Sequence, residues 1–376
     1  MRWERNWCTH GRIVEVPSVT LQIGVADVSD GPAISAFFDG LTIPARVPVT
    51  VSRGKDCFAL GRLREGDNIW LVAKADDGIQ AALELACIPM VWQGNLATVG
   101  YVAFAGVAQK WRKNGLLRTL AEEAEAVARA RGCTFGAYLH SRNNTSIAAA
   151  VNRIKSQAIA TESIFISVMP ASRRLRADRD LFCGPATAED ISCAAELLRR
   201  RYAGYTLAPA EDLERLLARL SLPTDACWVA RNPSGEVLAF VAYVDASEFR
   251  PSILGRLPVV ESVLRAAANM AAPLLGISAL PKRGELIRLA YALAPAAVDS
   301  RVLGALVRAV LAHLTDRGFH GLMLALPDQD PLRRDLDPWW ALTSATLPSL
   351  VPRDSEIEQA LRSVERPVFY LEYALH

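Results

Sequence analysis

"VAQKWRKNGLLRTLAEEAEAVARARG", residues 107–132, is the stretch on which the fold turns. An apolar run ends at Val107-Ala108, a polar turn Gln109-Lys110-Trp111-Arg112-Lys113-Asn114-Gly115 follows, and a helix starts directly after it. In that helix Leu116, Leu120, Ala124 and Val127 make one apolar stripe, and Arg118, Glu122, Glu125 and Arg129 share the other face. Arg118–Glu122 and Glu125–Arg129 are i,i+4 pairs, each worth about 0.2–0.5 kcal/mol. Gly132 stands where a C-terminal cap belongs. A helix that starts near residue 115 leaves its first-turn N–H groups without intrahelical acceptors, and two positive side chains stand just before it. Such a turn suits an anion; the alternative is a solvated basic turn that caps an ordinary helix.

Working outward, the two halves of the chain repeat one order of elements. Residues 69–88, "IWLVAKADDGIQAALELACI", resemble residues 227–246, "CWVARNPSGEVLAFVAYVDA": a tryptophan, an apolar strand, a polar turn ending in Asp-Gly or Ser-Gly, and a second apolar strand. A helical segment precedes each hairpin, "DGPAISAFFDGL" in one half and "EDISCAAELLRRRY" in the other. After each hairpin come a strand, a helix, Arg-Gly and another strand. Setting Gly132 against Gly318 aligns Val107-Ala108-Gln109 with Leu293-Ala294-Pro295 without a gap, and the long period excludes a solenoid. The expected division is residues 1–170, a polar arginine-rich linker at 171–181, and residues 182–376.

Composition agrees with two globular units. The chain has 376 residues, 51% hydrophobic and 22% charged, enough for two cores and against disorder. A formal net charge of +2 gives no reason to expect nucleic acid as a partner. Seven scattered cysteines with no C-x-x-C pair argue against a disulfide framework or zinc site and for a reducing, cytoplasmic setting. The N-terminal "MRWERNWCTHGRIVEV" lacks the apolar core of a secretory signal. Leu85–Gln109 is free of charge over 25 residues, but Pro89 and the break Gln93-Gly94-Asn95 divide it into two buried strands. Ala266–Pro281 is too short to span a membrane, so no membrane partner is expected.

Arg112-Lys113-Asn114-Gly115-Leu116-Leu117, between a strand and a helix, resembles the acyl-CoA pyrophosphate loop of GNAT-superfamily N-acetyltransferases, Arg/Gln-x-x-Gly-x-Gly/Ala. The spacings from Arg112 to Gly132 and on to Asn144 also match that family, with Asn144 as the asparagine often found after the next strand. The resemblance covers residues 19–168 as a complete unit and 181–376 as a diverged copy. It implies an α/β (α+β) fold of two GNAT-like lobes, each a mixed, mostly antiparallel twisted sheet flanked by helices. It further implies a bacterial-type N-acyltransferase using acetyl-CoA or another acyl-CoA, with a small-molecule or peptide amine as acceptor. Val107, Arg112, Lys113, Asn114, Gly115, Leu116, Leu117 and Asn144 are then the cofactor-binding residues, with the Val107 N–H as oxyanion donor. Leu117 departs from the family's Gly or Ala and reshapes the cradle. In the second half the gapless alignment puts Val298 at the Arg112 position and Arg301 at the Gly115 position, so loss of cofactor binding is expected there.

The catalytic side chains are less legible. An alkyl ammonium must lose a proton before it attacks, at a cost of about 4–5 kcal/mol at pH 7, so a base or water relay is expected. Where the family often has a strand glutamate this chain has Ala103, and where it often has a helix tyrosine this chain has Val151. Three substitutes are named. Tyr101, on the strand face of Ala103, is a proton relay or a packed aromatic. His140, at the end of the next strand, is an acid–base group or a structural histidine. Glu84, on an otherwise apolar strand, is a general base or a residue of the solvated face, since the Leu83/Leu85 alternation turns it from the core. Missing acid–base groups leave a non-catalytic CoA-binding sensor as the alternative function. The five histidines are far apart in sequence, so no metal is expected. Residues 249–280, an insertion in the second half, are expected as a packed helix, with a lid or homodimer surface as alternatives. Trp339-Trp340 either line an acceptor site or pack.

Overall fold

The computed structural model describes residues 12–16, 19–41, 49–141, 158–175, 178, 180–247, 249–336, 342–364, 367–370 and 372. The first half runs β1 (Arg12–Val16), β2 (Val19–Val25), α1 (Gly31–Asp39), β3 (Val49–Val51), α2 (Ala59–Arg62), β4 (Asp67–Ala75), β5 (Gly78–Trp92), β6 (Asn95–Val107), α3 (Leu116–Ala130), β7 (Phe135–Ser141), β8 (Ile159–Ala160) and β9 (Ile164–Pro170). The second begins with β10 (Phe182–Pro185), helix Ala188–Tyr202, β11 (Leu207–Pro209) and helix Leu213–Leu220. It continues through β12 (Cys227–Arg231), β13 (Val237–Asp245), β14 (Ser252–Leu254), helix Val259–Leu275, β15 (Leu286–Ile287) and β16 (Leu289–Ala297). Helix Ser300–Asp316, β17 (Gly321–Pro327), β18 (Leu342–Pro352) and helix Ser355–Ser363 close it.

Both expected hairpins form, β4–β5 and β12–β13. Ala75 faces Gly78 across the β4–β5 turn, where Gly78 takes φ +111°. Between β5 and β6, Gln93 and Gly94 take φ +49° and +78°, the two left-handed residues that a tight turn matched to strand twist requires. The one uncharged stretch Leu85–Gln109 is thus two paired strands, and among the described residues no helix is long and apolar enough to cross a membrane. In α3 the buried residues are Leu116, Leu120, Ala124 and Ala128; Val127 is only partly covered.

Strands follow the order β1-β2-β4-β5-β6-β7-β18-β9-β17-β16-β13-β12-β10. Along that path only β6–β7 and β16–β17 are parallel. Each half is therefore a mixed, mostly antiparallel sheet flanked by helices, as expected. The sheet does not divide at residues 171–181, however. β9, from the first half, pairs with β17, and β18, from the second half, inserts beside β7. Arg353, just after β18, locks the exchange: its guanidinium donates to both oxygens of Glu125 in α3 at 2.8 and 2.7 Å and to the carbonyl of Cys133 at 2.8 Å. The insertion at 249–280 differs from a packed helix. β14 pairs with β3 and β15 in a separate small sheet that ties the halves together, and Val259, Val260, Val263, Leu264, Met270 and Leu274 of the following helix stand exposed.

Candidate active site

Trp111, buried against β5 and α3, pins the turn that follows β6. From there Arg112, Lys113, Asn114 and Gly115 are all exposed. Lys113 takes φ +71° and Gly115 φ +78°, a region that side chains with a Cβ occupy only with strain. Gly115 is the N-cap of α3, and no side chain caps that helix. Thr187, Asp212, Asp299 and Asp354 each accept a backbone N–H at the start of their helices, while α1, α2 and helix Val259–Leu275, like α3, start without a side-chain cap. A Cβ at Gly115 would meet no described residue within 4 Å. The glycine is thus fixed by its left-handed backbone and not by crowding from any described residue. Leu116 is buried and Leu117 half-buried. Lys110 is turned away into an ion pair with Asp77, whereas Arg112 Nε donates to the Val107 carbonyl at 3.3 Å.

The strand leading to this turn is splayed from its neighbour. β6 and β7 pair only over Val99–Val102 and Phe135–Tyr138, although β6 continues to Val107 and β7 to Ser141. Ala103 causes the break: it is an extra residue opposite Glu84/Leu85, a bulge that re-aims the strand. Past it, the Ala108 N–H donates to the Gln80 carbonyl at 2.8 Å. Antiparallel ladders alternate, so the Val107 N–H, one residue earlier, points away from β5 into the gap. Val102 to Val107 are all half-buried, in a sheet whose central strands are otherwise covered. Among the described residues the result is a wedge between β6 and β7 that opens toward the N-terminus of α3.

The named acid–base candidates do not converge. Tyr101 is 2% exposed and packs with Ala86, Phe135 and Ala137 on the sheet face away from α3, before the wedge opens. Ala103, the bulged residue, packs against the same cluster, so the two share a face as expected, but that face is closed around Tyr101. His140 lies past Tyr138, the last residue of β7 paired with β6, and is half-buried opposite Leu347 of β18; Leu139 packs with Phe135 and Ala137, so His140 takes the opposite, α3-facing side. Glu84 does turn away from Leu83 and Leu85, but that face is not solvated. The residue is 1% exposed, and Arg64 Nη1 donates to Glu84 Oε1 at 2.5 Å, with both side chains sealed. A carboxylate engaged in this way is neither an exposed base nor a surface residue. Sequence reasoning missed Arg53, Arg64 and Arg250, which surround Phe104 next to Glu84; a charged residue on an apolar strand was the one signal that a buried partner existed. Asn144, Val151 and Trp339-Trp340 lie outside the described residues. Among the described residues, no three of His, Cys, Asp and Glu form a set that could hold a metal, and all six cysteines are free.

The second half repeats the splay and then closes it. β16 and β17 pair over Leu289–Tyr291 and Gly321–Met323 and then part. Here the bulge falls at Ala294-Pro295, opposite Val241. Ala294, at φ +47°, donates its N–H to Glu372 Oε2 at 2.9 Å, and the Pro295 carbonyl accepts from Arg201. Arg201 is paired with buried Asp330 at 2.5 Å, which also accepts from the Tyr205 hydroxyl at 3.0 Å. Ala290–Ala296 are all buried. Burial pushes the Glu372 carboxyl up to about 7, against the pull of the Ala294 and Tyr370 donors. Strand pairing also corrects the gapless alignment, which sets Glu285 against Val99. Leu289 opens the parallel pair in the second half as Val99 does in the first, so the strands are offset by four residues. The connection to the helix is cut to Val298-Asp299. Asp299, not Arg301, holds the N-cap position of Gly115, and its carboxylate accepts the Val302 N–H at 2.8 Å.

No protein-family model and no curated protein sequence matches the chain. Solved structures do. Saccharomyces cerevisiae N-myristoyltransferase with bound myristoyl-CoA superposes with a TM-score of 0.58 at 10% identity, over 90% of this chain and 84% of that one. A GCN5-related glucosamine N-acetyltransferase region in a fungal multi-domain GH3 β-N-acetylglucosaminidase gives 0.60 at 11% identity, over 89% of this chain and 38% of that one. A GCN5-related N-acetyltransferase from Sphaerobacter thermophilus gives 0.54 at 12% identity, over 94% of this chain and 98% of that one. At such identities the likeness is one of fold, and it spans both halves.

Proposed function

From the GNAT fold, with one splayed strand pair open and the other filled, we propose that this chain is an acyl-CoA-dependent N-acyltransferase whose first half holds the cofactor. The observation that carries the reading is the uncapped N-terminus of α3 at the mouth of the β6–β7 wedge. A pyrophosphate fits it: the N–H groups of Leu116 and Leu117 and the turn at Asn114-Gly115 supply donors, and Lys113 and Arg112 supply charge. Charge-assisted hydrogen bonds are worth about 1.5–3 kcal/mol each, so three or four reach roughly micromolar affinity. When bound, the carrier supplies a thioester whose acyl carbon an amine can attack. The Val107 N–H, aimed into the wedge, is positioned to donate to an oxygen that gains charge there. His140, on the β7 wall of the wedge, is the side chain proposed to take the ammonium proton, directly or through water; Tyr101 and Glu84 face elsewhere. Acetyl-CoA is proposed as the donor, and the amine of a small molecule or peptide as the acceptor.

Gly115→Glu tests the site. It places a carboxylate and a Cβ where the phosphates are proposed to sit, so acetyl-CoA affinity by calorimetry should fall at least about 100-fold, the loss of roughly two such hydrogen bonds. Unchanged affinity sinks the assignment. Ala103, at the bulge where a carboxylate could have stood, favours a second reading, a CoA-binding sensor without turnover. Free-thiol release with a panel of amines and acyl chain lengths separates the two, since the sensor binds and releases none.

A further inference from the structure

Phe104, the first residue of β6 past the bulge, pairs with Glu84 and lies on the face away from α3. Three guanidinium groups surround its ring, with Arg53 Cζ at 3.2 Å from the centroid, Arg250 at 5.4 Å and Arg64 at 5.9 Å. The carboxylate beside them, Glu84, is engaged by Arg64. Arg53 is 4% exposed, and its Nε and Nη1 have no hydrogen-bond partner among the described residues. Burial, and then the positive charge of Arg250, push the Arg53 guanidinium down to about 9, with Glu84, Arg64 and Tyr291 as the other charged or titratable neighbours. Contact with a ring face offsets part of the cost of burying that cation, but leaves two of its donor nitrogens unsatisfied.

We propose that the acceptor amine carries an oxyanion group, a carboxylate or a phosphate, and that Arg53, with Arg250 beside it over Phe104, receives that group. A guanidinium stacked on an aromatic ring keeps its planar fork of donors in the ring-parallel plane, the geometry that takes an oxyanion by two hydrogen bonds. The residues come from both halves: Arg53 follows β3, Arg250 precedes β14, and those strands pair. The cofactor's own phosphates are not the occupant, because the turn proposed for them opens at α3, on the other side of the sheet. Phe104 and Val107 share β6, so an acceptor held at its anionic end can present its amine to the wedge. The inference rests on the acyltransferase reading for the word acceptor, and its binding test does not depend on it.

The probes are β-alanine, 2-aminoethyl phosphate and β-alaninamide, which keeps the amine but has an uncharged amide in place of the anionic group, at matched ionic strength, on the full chain. Thermal unfolding without CoA should show stabilisation by one or both anionic amines and none by the amide; which anion acts distinguishes carboxylate from phosphate. With acetyl-CoA present, the KM of the preferred anionic amine should lie roughly 10- to 100-fold below that of the amide, as for loss of a charge-assisted pair. Arg53→Met should abolish both preferences, leave acetyl-CoA affinity unchanged, and give a ligand-free melting temperature equal to or above that of the wild type, since it removes a buried charge with unsatisfied donors. A purely structural arginine would instead lower it. Should Arg53→Met not fold, Arg250→Met takes its place with the same loss of preference expected. Equal response of the wild type to all three amines, or a preference that survives both variants, overturns the proposal. Anion binding without any CoA binding sinks the acyltransferase reading alone; turnover without anion preference sinks this inference alone.

Discussion

In the first half, β6 leaves β7 after Val102 and the residues beyond it stay half-buried; in the second, β16 leaves β17 after Tyr291 and the residues beyond it are sealed. Both splays follow from one device, a bulge beside a short parallel pairing. The difference lies in what meets the polar groups that the bulge exposes. In the second half, the Ala294 N–H and Pro295 carbonyl are satisfied by Glu372 and Arg201, and the helix N-terminus by Asp299. In the first half α3 begins without a side-chain cap, and a Cβ at Gly115 before it would meet no described residue within 4 Å. A parallel splay is therefore not itself a site. It becomes one where the protein leaves its backbone donors for something else to satisfy.

The filled gap can be broken most sharply at Asp330. Its carboxylate is buried with Arg201 and accepts from Tyr205, so Asp330→Ala strands a buried guanidinium and is expected to cost about 3–5 kcal/mol. Urea unfolding measures the loss, and acetyl-CoA affinity at low denaturant should not change, because the first-half turn is untouched. A loss below about 1 kcal/mol would mean that water or another group already serves Arg201, and that the gap is not a sealed plug.

Glu372 sharpens the comparison by pH. Its carboxyl is raised from an ordinary value of 4.5 to about 7 by burial. The folded chain thus binds this proton more tightly than the unfolded chain does, and the stability it contributes is complete below about pH 4.5 and is lost as pH rises through about 7. At about 1.4 kcal/mol per unit, the loss across that window is on the order of a few kcal/mol. Glu372→Gln keeps the shape without the titration. Denaturant midpoints of wild type and variant should diverge steadily between pH 5 and 7, with the variant flat by comparison. Parallel curves would show that Glu372 stays ionised, supported by the Ala294 N–H and Tyr370 hydroxyl more than burial opposes it.

These features mark what the sequence could and could not disclose. Hairpins at 69–88 and 227–246, the helix from Leu116 with Gly132 past its end, and the duplication are local or periodic, and all are present. Glu84 was placed on the correct side of its strand, yet alternation says nothing of what covers that side, and here α1, α2 and arginines from both halves do. The same limit hid Arg353, which reaches α3 only because β18 crosses to β7. The gapless alignment erred on β16 because a loop shortened by deletion leaves helix and following strand in phase while shifting the strand before it.

That shortened loop carries the smallest effect expected, and the one that separates cap from loop as the reason the second half differs. Asp299 accepts from Val302 at 2.8 Å, and Asp299→Ala is expected to cost about 1 kcal/mol, the usual loss of an N-cap. It also bares the first-turn donors of helix Ser300–Asp316, as Gly115 leaves those of α3 bare. If a missing cap were sufficient for cofactor binding, native mass spectrometry of the variant with acetyl-CoA would show a second equivalent. The expected count stays at one per chain. Two residues, Val298 and Asp299, join strand to helix there, against the eight from Ala108 to Gly115 in the first half, and too few peptide N–H groups can converge on a diphosphate from so short a connection. A second bound equivalent would show that the carboxylate alone excludes the anion, by charge and by occupying the donors.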